Sequence, residues 1–390
     1  NTFFFNMNAI KSGQSRPANI PRYKPQRVGV LGAGMMGAGI AYSQASRGIT
    51  TVIKDITRDK AESGKAYSHK LTQAQVDKGR MSASDQAALL ARITATDHAT
   101  DLKGCDLIIE AVFEQRELKA MVTQEAEPML VEGGFFASNT STLPISGLAK
   151  ASRQPEKFVG IHFFSPVDKM KLVEIIRGKQ TDDETVARAF DYVQALGKIP
   201  IVVNDSRGFY TSRTFGTFVM EGAAMLGEGI PAAVIENAGI QCGMPVGPLA
   251  VLDETALSLS VHVLDQTRAD YAAEGKTYAA TPGDLLVERM VKELNRSGRA
   301  AGAGFYDYPQ GAKKVLWPEL KKLFEKPGAG YDMRDIKDRL LFRYAAETAR
   351  CLQEGVLTSV HDANIGSIFG IGFPAWTGGA MQFIYSMGPN

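Results

Sequence analysis

The 390-residue sequence predicts an α/β domain on a mostly parallel sheet, followed by two tandem all-α domains. Three observations carry this. Short β-rich runs alternate with helical stretches up to about Val203, strand patterning stops after Gly208, and beyond it a set of residues recurs at one fixed offset.

The elements follow in order. The chain begins with Asn1, and "NTFFFNMNAIKSG" lacks the basic-then-apolar layout of a signal peptide. It reads as an amphipathic helix cut from something longer upstream. Pro17, Pro21 and Pro25 then mark an extended linker, so residues 1–25 form a leading segment. Strand candidates are "RVGVL", "TTVIKD", "CDLIIEAV", "GGFFAS", "FVGIHFF", "LVEII" and "IPIVV", with helices opening near Met35, Asp59, Gln115 and Asp182. The first strands are near-continuously apolar, as strands covered on both faces are. These elements define a sheet domain over residues 26–206.

In the remainder, Arg213, Glu221, Leu226, Glu228 and Gly229 recur as Arg339, Glu347, Leu352, Glu354 and Gly355, each 126 positions later. A constant offset that includes a helix-ending Glu-Gly pair points to two copies of one helical domain. They occupy residues 207–330 and 331–390, the second apparently truncated.

Composition excludes several classes of function. Lys+Arg is 44 against Asp+Glu 42, a net charge of +2, which argues against wholesale binding to nucleic acid or a membrane surface. No apolar run reaches the roughly 18 residues that suggest a membrane span. Cys105, Cys242 and Cys351 are odd in number and widely spaced. They support neither a disulfide framework nor a metal site, and fit a reducing compartment.

"VGVLGAGMMGAGIA" places Gly32, Gly34 and Gly37 in G-x-G-x-x-G spacing, after a strand and at the opening of a helix. Gly32 allows the tight turn, Gly34 lets backbone approach a pyrophosphate, and Gly37 lets the helix pack closely on the strand. The helix N-terminus adds amide donors and its dipole. The loop Gly32, Ala33, Gly34, Met35, Met36, Gly37 is thus a predicted cofactor cradle in a Rossmann-type domain. Asp55 ends the next apolar run, where a carboxylate accepts from the adenosine ribose and repels a 2'-phosphate. That favours NAD over NADP, although Arg58 lies close by.

A nicotinamide site needs a group that handles a proton while hydride moves. Of the five histidines, His69 and His98 sit in polar sequence, and His262 and His361 in helical stretches. His162 ends a strand on the C-terminal side of the sheet, where open α/β folds bind ligands. A tight turn would bring Glu174, on the next run, to its imidazole. Such a partner fixes the tautomer and raises basicity, as a general base requires. A hydrogen-bonded structural histidine is the other reading of the same residues.

The motifs "GAGMMGAGIA", "IIEAVFE", "SNTSTLPIS", "GIHFFSPVDKMKLVEII" and "GFY…R" occur in the order found in the L-3-hydroxyacyl-CoA dehydrogenases of fatty-acid β-oxidation, and the resemblance runs over essentially the whole chain. The opening segment and the duplicated C-terminal part look like the multifunctional α-subunits, in which an enoyl-CoA hydratase domain comes first. The resemblance implies helical domains of the 6-phosphogluconate-dehydrogenase-like C-terminal type and a 3-ketoacyl-CoA thiolase partner subunit. It also implies a cytoplasmic location in a bacterium, or the mitochondrial matrix in a eukaryote.

By the same resemblance, His162 is the general base and Glu174 orients it. Ser141 bonds the substrate oxygen near the nicotinamide, and Glu114 and Lys119 contact NAD. Ser165 and Ser212 stand where many members have asparagine, and Ala300 where many have lysine, which bears on substrate preference and NAD affinity. Lys60, Lys65, Lys70, Lys78 and Arg80 give a polar helix candidate a basic face. A solvated face accounts for it, and the resemblance places the CoA phosphates there, with Lys78 the residue singled out.

The expected activity is oxidation of L-3-hydroxyacyl-CoA to 3-ketoacyl-CoA. A non-catalytic dinucleotide-binding protein on the same scaffold, like a lens crystallin related to the family, is the alternative. Relatives of the 6-phosphogluconate or hydroxyisobutyrate type use a lysine base, and here that strand position holds histidine. Short relatives dimerise through one helical domain, so a second copy in the same chain is expected to cover that surface internally.

Overall fold

The computed structural model describes residues 2–326, 328 and 330–388; positions 1, 327, 329, 389 and 390 of the expected segments lie outside the described residues. The chain divides into two units, Asn1–Thr211 with Cys351–Gly370, and Ser212–Arg350 with Ile371–Asn390.

The first unit opens with α1 (Thr2–Lys11), which buries Asn6 and Ile10 and sets Phe3 beside Phe369, the rings tilted with centroids 5.8 Å apart. The proline-rich segment after it is extended, but it is pinned. Arg16 Nε and Tyr23 N both donate to Asp191, at 2.8 Å each. Burial opposes charge on Asp191, and the bonds from Arg16, Tyr23 and Arg22 outweigh it, holding its carboxyl below the usual range.

The sheet unit continues with β1 (Arg27–Leu31), α2 (Met35–Ala45), β2 (Thr50–Lys54), α3 (Arg58–Val76), α4 (Ala83–Ala91), β3 (Ile93–Thr96), β4 (Cys105–Glu110), α5 (Arg116–Ala126) and β5 (Leu130–Ser138). A short α6 (Ile145–Leu148), β6 (Phe158–Phe163), β7 (Leu172–Arg177), α7 (Asp183–Ala195) and β8 (Ile199–Asn204) complete it. Strand order is β3-β2-β1-β4-β5-β6-β7-β8. Pairing is parallel from β3 through β6, reverses between β6 and β7, and is parallel again between β7 and β8. The order reverses direction around β1 and β4, and the crevice at such a switch point is where these folds bind ligands.

Helix α3 shows why the sequence folds so locally. Thr57 caps it by accepting from Lys60 N, and Ala61, Gly64, Ser68 and Thr72 recur at three- and four-residue steps as its buried face. It ends at Val76, so Lys78 and Arg80 lie beyond it. All seven expected strands are present. β3 and α4 are additional to the sequence expectation, as is a small sheet among the later helices.

The second unit takes up α8 (Thr211–Glu228), whose first residue belongs to the sheet unit, then α9 (Ala232–Cys242), α10 (Pro248–Thr255), α11 (Leu257–Ala273) and α12 (Pro282–Lys292). β9 (Tyr306–Asp307) pairs antiparallel with β10 (Val315–Leu316), followed by α13 (Glu319–Leu323) and α14 (Met333–Gln353) up to Arg350; α15 (Val360–Ile371) belongs, up to Gly370, to the sheet unit, and α16 (Ala380–Met387) to the second unit. Phe218, Leu226, Ile235, Leu249, Met290, Leu340 and Tyr344 form its core.

The residues that repeat at a fixed offset meet crosswise. Arg213 of the first copy bonds Glu347 of the second, at 2.5 and 3.0 Å. Arg339 of the second bonds Glu221 of the first at 2.8 Å, and Glu228 through two bonds of 2.6 and 2.8 Å. This reciprocity is the signature of a two-fold contact. The later part of the second copy groups with the sheet unit instead. Asn204 N donates to Val356 O and Tyr210 Oη to Ala363 O, each at 2.8 Å. Among the described residues no helix is long and apolar enough to cross a membrane.

Candidate active site

The antiparallel β6–β7 pair sets His162 directly opposite Glu174. Side chains facing one another in this way lie within hydrogen-bonding reach. His162 Nδ1 is 3.0 Å from Glu174 Oε2, with both residues buried. Glu174 also accepts from Tyr210 N at 3.0 Å, Thr211 N at 3.1 Å and Thr211 Oγ1 at 2.6 Å. Tyr210 and Thr211 open α8, so the carboxylate sits on a helix N-terminus and accepts from its first donors. With Glu174 accepting a hydrogen bond from Nδ1–H, the tautomer is fixed and Nε2 is left free to take a proton. Phe164 and Phe209 flank the imidazole, with centroids 4.5 and 6.2 Å away.

The glycine turn has the shape a pyrophosphate requires. Gly32 adopts φ +91°, and a Cβ there meets Ala111 O at 2.7 Å. A Cβ on Gly37 falls 1.8 Å from Gly32 O, so no larger residue lets α2 pack this closely. A Cβ on Gly34 meets nothing within 4 Å, so the backbone there opens onto free space. No side chain caps α2, which leaves the first amides of the helix, at Met35, Met36 and Gly37, without intrahelical acceptors. Asp55 Oδ2 accepts from Ala33 N and Oδ1 from Ile56 N, each at 2.7 Å, so the carboxylate is tied to the turn. Ionised carboxylates have lone pairs beyond two acceptances, enough for a ribose diol. The donor set fits a dinucleotide.

Glu114 and Lys119, the expected NAD contacts, lie in a partly buried polar cluster. Lys119 is buried, and Nζ bonds both oxygens of Glu110 at 3.0 Å while lying 3.2 Å from Glu114 Oε2. Glu114 Oε1 accepts from Thr140 Oγ1 at 2.5 Å, Ser141 N at 3.0 Å and Thr142 N at 3.2 Å, and so holds the loop that carries Ser141. Burial works against its ionisation, but Lys119 and these donors prevail and hold its carboxyl below the ordinary range. Ser141 itself is exposed at the tip of this loop.

Ser165 Oγ lies 3.6 Å from Met35 Sδ, which brings the β6–β7 turn against the first residue of α2. His162, Glu174, Ser165 and the glycine turn are therefore joined within one unit, as are Ser141, Glu114 and Lys119. Ser212 is half-buried one residue past Thr211 on α8, and Ala300 lies in a short turn of the second unit. Lys78 is exposed and makes no hydrogen bond or ion pair among the described residues.

Three residues at the site stand outside the sequence expectation. Glu110, fully buried, anchors Lys119 and accepts from Ser138 Oγ. Ile56 and Phe113 follow β2 and β4, the neighbours of β1, and are exposed although apolar, at 74% and 83%. Their signal is an apolar residue just past a strand end on either side of a glycine turn.

Such a fold, with a dinucleotide cradle beside a carboxylate-oriented histidine, defines a nicotinamide-dependent dehydrogenase. Two consecutive family descriptions match: 3-hydroxyacyl-CoA dehydrogenase, NAD binding domain, over residues 27–206, and 3-hydroxyacyl-CoA dehydrogenase, C-terminal domain, over residues 208–308. The chain is 34% identical over its whole described match to (S)-3-hydroxybutyryl-CoA dehydrogenase PaaH1 from Ralstonia eutropha, spanning 74% of this chain and 100% of that one with a TM-score of 0.67. It belongs to the 3-hydroxyacyl-CoA dehydrogenase family, and NAD is its cofactor.

It is also 34% identical over 391 residues to the fatty acid oxidation complex subunit alpha of Shewanella baltica, covering 99% of this chain and 54% of that protein. The chain thus spans about half the length of the curated relatives it matches. The 3-hydroxybutyryl-CoA dehydrogenase of Escherichia coli shares the fold, with a TM-score of 0.78 at 21% identity over 94% of this chain and 92% of that one.

Proposed function

We propose that the chain oxidises L-3-hydroxyacyl-CoA to 3-ketoacyl-CoA, with His162 as general base. The observation that carries this is the Glu174 carboxylate, which accepts from His162 Nδ1 and three further donors. In this reading Nε2 takes the proton of the 3-hydroxyl as the C3–H bond breaks, and Glu174 stabilises the imidazolium that forms. NAD supplies the hydride acceptor. The glycine turn and Asp55 would hold its pyrophosphate and ribose, and the exposed apolar Ile56 and Phe113 would supply apolar surface for its adenine. Ser141 donates to the substrate oxygen, and its loop is kept in place by Glu114. Lys119 acts through Glu114, Ser165 and Ser212 border the acyl group, and Lys78 meets CoA phosphate.

In its longer form the protein is proposed to join this step to an enoyl-CoA hydratase domain and to work with a 3-ketoacyl-CoA thiolase subunit. A cytoplasmic location suits a bacterial source. The domain limits at residues 25, 206 and 330 are proposed as the joints between its parts.

NADH formation from L-3-hydroxybutyryl-CoA, followed at about 340 nm, tests the reading. The wild-type chain is expected to turn over, and His162→Gln to lose at least about 10²-fold in kcat while binding NADH as before. Near-normal turnover by that variant removes His162 as the base. A wild-type chain that binds NADH without turnover favours the non-catalytic alternative.

A further inference from the structure

The turn between β6 and β7, residues 164–171, links the strand of His162 to the strand of Glu174 and carries Ser165 against Met35. It is one helical turn, since Lys169 N and Met170 N both donate to Pro166 O at 3.0 Å. Like any helix end, such a turn needs donors for its later carbonyls. Lys198, just before β8, supplies them. Its Nζ donates to Val167 O at 2.6 Å and to Met170 O at 2.7 Å, from a half-buried position. On the opposite side, Tyr67 Oη of α3 donates to Asp168 Oδ1 at 2.8 Å, and Val167 packs where a Cβ on Gly39 of α2 would lie, 2.8 Å away.

We propose that Lys198 is a positioning residue for the reaction: its ammonium clamps the β6–β7 turn and thereby sets Ser165 against the mouth of the dinucleotide cradle. The proposal rests on the dehydrogenase reading of the site. Tyr67 and the Gly39 contact hold the turn through Asp168 and Val167, Ile199 N ties its last carbonyl at Lys171, and Lys198 is the side chain that bonds the Val167 and Met170 carbonyls. Removing the ammonium leaves the Val167 and Met170 carbonyls without that donor and loosens the turn ahead of Lys171.

The groups facing Lys198 make the clamp sensitive to pH. Burial pushes its ammonium down to about 8; Asp168 on the turn opposes this, and Arg47 beyond α2 reinforces it. Tyr67 is pushed up to about 12, first by burial and then by its bond to Asp168, and Tyr42 of α2 is raised by burial and by Asp168. Both phenols therefore stay protonated as the pH passes 8. The charged clamp is complete below that value and weakens above it.

The test compares wild type with Lys198→Met and Lys198→Arg. Three quantities are read: KM against kcat for L-3-hydroxybutyryl-CoA from pH 6 to 10, NADH affinity, and hydrogen-exchange protection of the Lys169 and Met170 amides. In wild type, kcat/KM is expected to fall as pH rises through about 8. Lys198→Arg, always charged, should remove that fall and keep activity within about fivefold of wild type at pH 7. Lys198→Met should lose at least about tenfold in kcat/KM at pH 7 and show no step near pH 8, with NADH affinity retained. Its Lys169 and Met170 amides should lose at least about tenfold protection while those of β1 keep theirs.

A Lys198→Met variant with wild-type protection and an unchanged pH profile overturns the proposal, as does lost protection with unaltered kinetics. Should Lys198→Met fail to fold, the wild-type and Lys198→Arg profiles decide alone, and a fall that persists in Lys198→Arg counts against the clamp. A wild-type chain without turnover overturns the reaction itself. The exchange data then decide whether the clamp exists.

Discussion

Replacing Glu174 by glutamine keeps its size and reverses one half of its hydrogen bonding. The carboxylate accepts four bonds: two from backbone amides at the start of α8, one from Thr211 Oγ1 and one shared with His162 Nδ1. A glutamine has one accepting oxygen. If that oxygen serves the Tyr210 and Thr211 amides, its NH₂ faces His162 and forces the imidazole to accept at Nδ1. The ring proton then moves to Nε2, the atom that has to receive the substrate proton. If the amide is turned the other way, two backbone donors face a third donor in a buried place, which costs about 1–3 kcal/mol for each group left unsatisfied. The first arrangement is therefore favoured, and it holds the base in the wrong tautomer. Wrong-tautomer histidines lose about 10²- to 10⁴-fold in kcat, or about 3–5 kcal/mol in barrier at 1.36 kcal/mol per tenfold. Steady-state NADH formation from L-3-hydroxybutyryl-CoA measures this, with KM expected to change little. A Glu174→Gln variant within threefold of wild-type kcat refutes the orienting role.

Three further outcomes are expected. Gly37→Ala sets a methyl against Gly32 O, so NADH affinity should fall at least about tenfold, and denaturant unfolding should show a loss of about 1–3 kcal/mol. Lys119→Met leaves Glu110 buried without its cation, and chemical denaturation should report a loss of about 3–5 kcal/mol. Glu114 has its folded-state pKa lowered, so the stability it contributes is present above the ordinary carboxylate range and lost as pH falls below it. Tm measured between about pH 6 and 3 should therefore fall less steeply in Glu114→Gln than in wild type.

The parts of this structure legible in the sequence are those fixed by local chemistry. Gly32 and Gly37 announce their turn because only glycine fits there, and the His162–Glu174 register follows from a short hairpin between two apolar runs. β3 escapes such a reading: "ITAT" is four residues long, one of them exposed, and is a strand only because β2 offers it a parallel edge. The two-residue strands β9 and β10 are too short to show alternation. Glu110 ends an apolar run as Asp55 does, and its role depends on Lys119 arriving from the next helix. Lys198, preceding "IPIVV", looks like any lysine at a strand entrance until the carbonyls of the β6–β7 turn are placed above it. The repeat was visible as identity at one offset, whereas the crosswise pairing of its arginines and glutamates exists only after the two helices meet.

That crosswise pairing changes what a single substitution does. Where two identical chains meet about a two-fold axis, every change in the gene strikes the contact twice, once from each side. Here the two halves of the contact are encoded separately. Loss of Arg339 removes its bonds to Glu221 and Glu228 and leaves the Arg213–Glu347 pair standing. Each copy can therefore drift alone, and the two have diverged: residues 351–370 of the later copy group with the sheet unit, whereas their counterparts at 225–244 stay in the second unit.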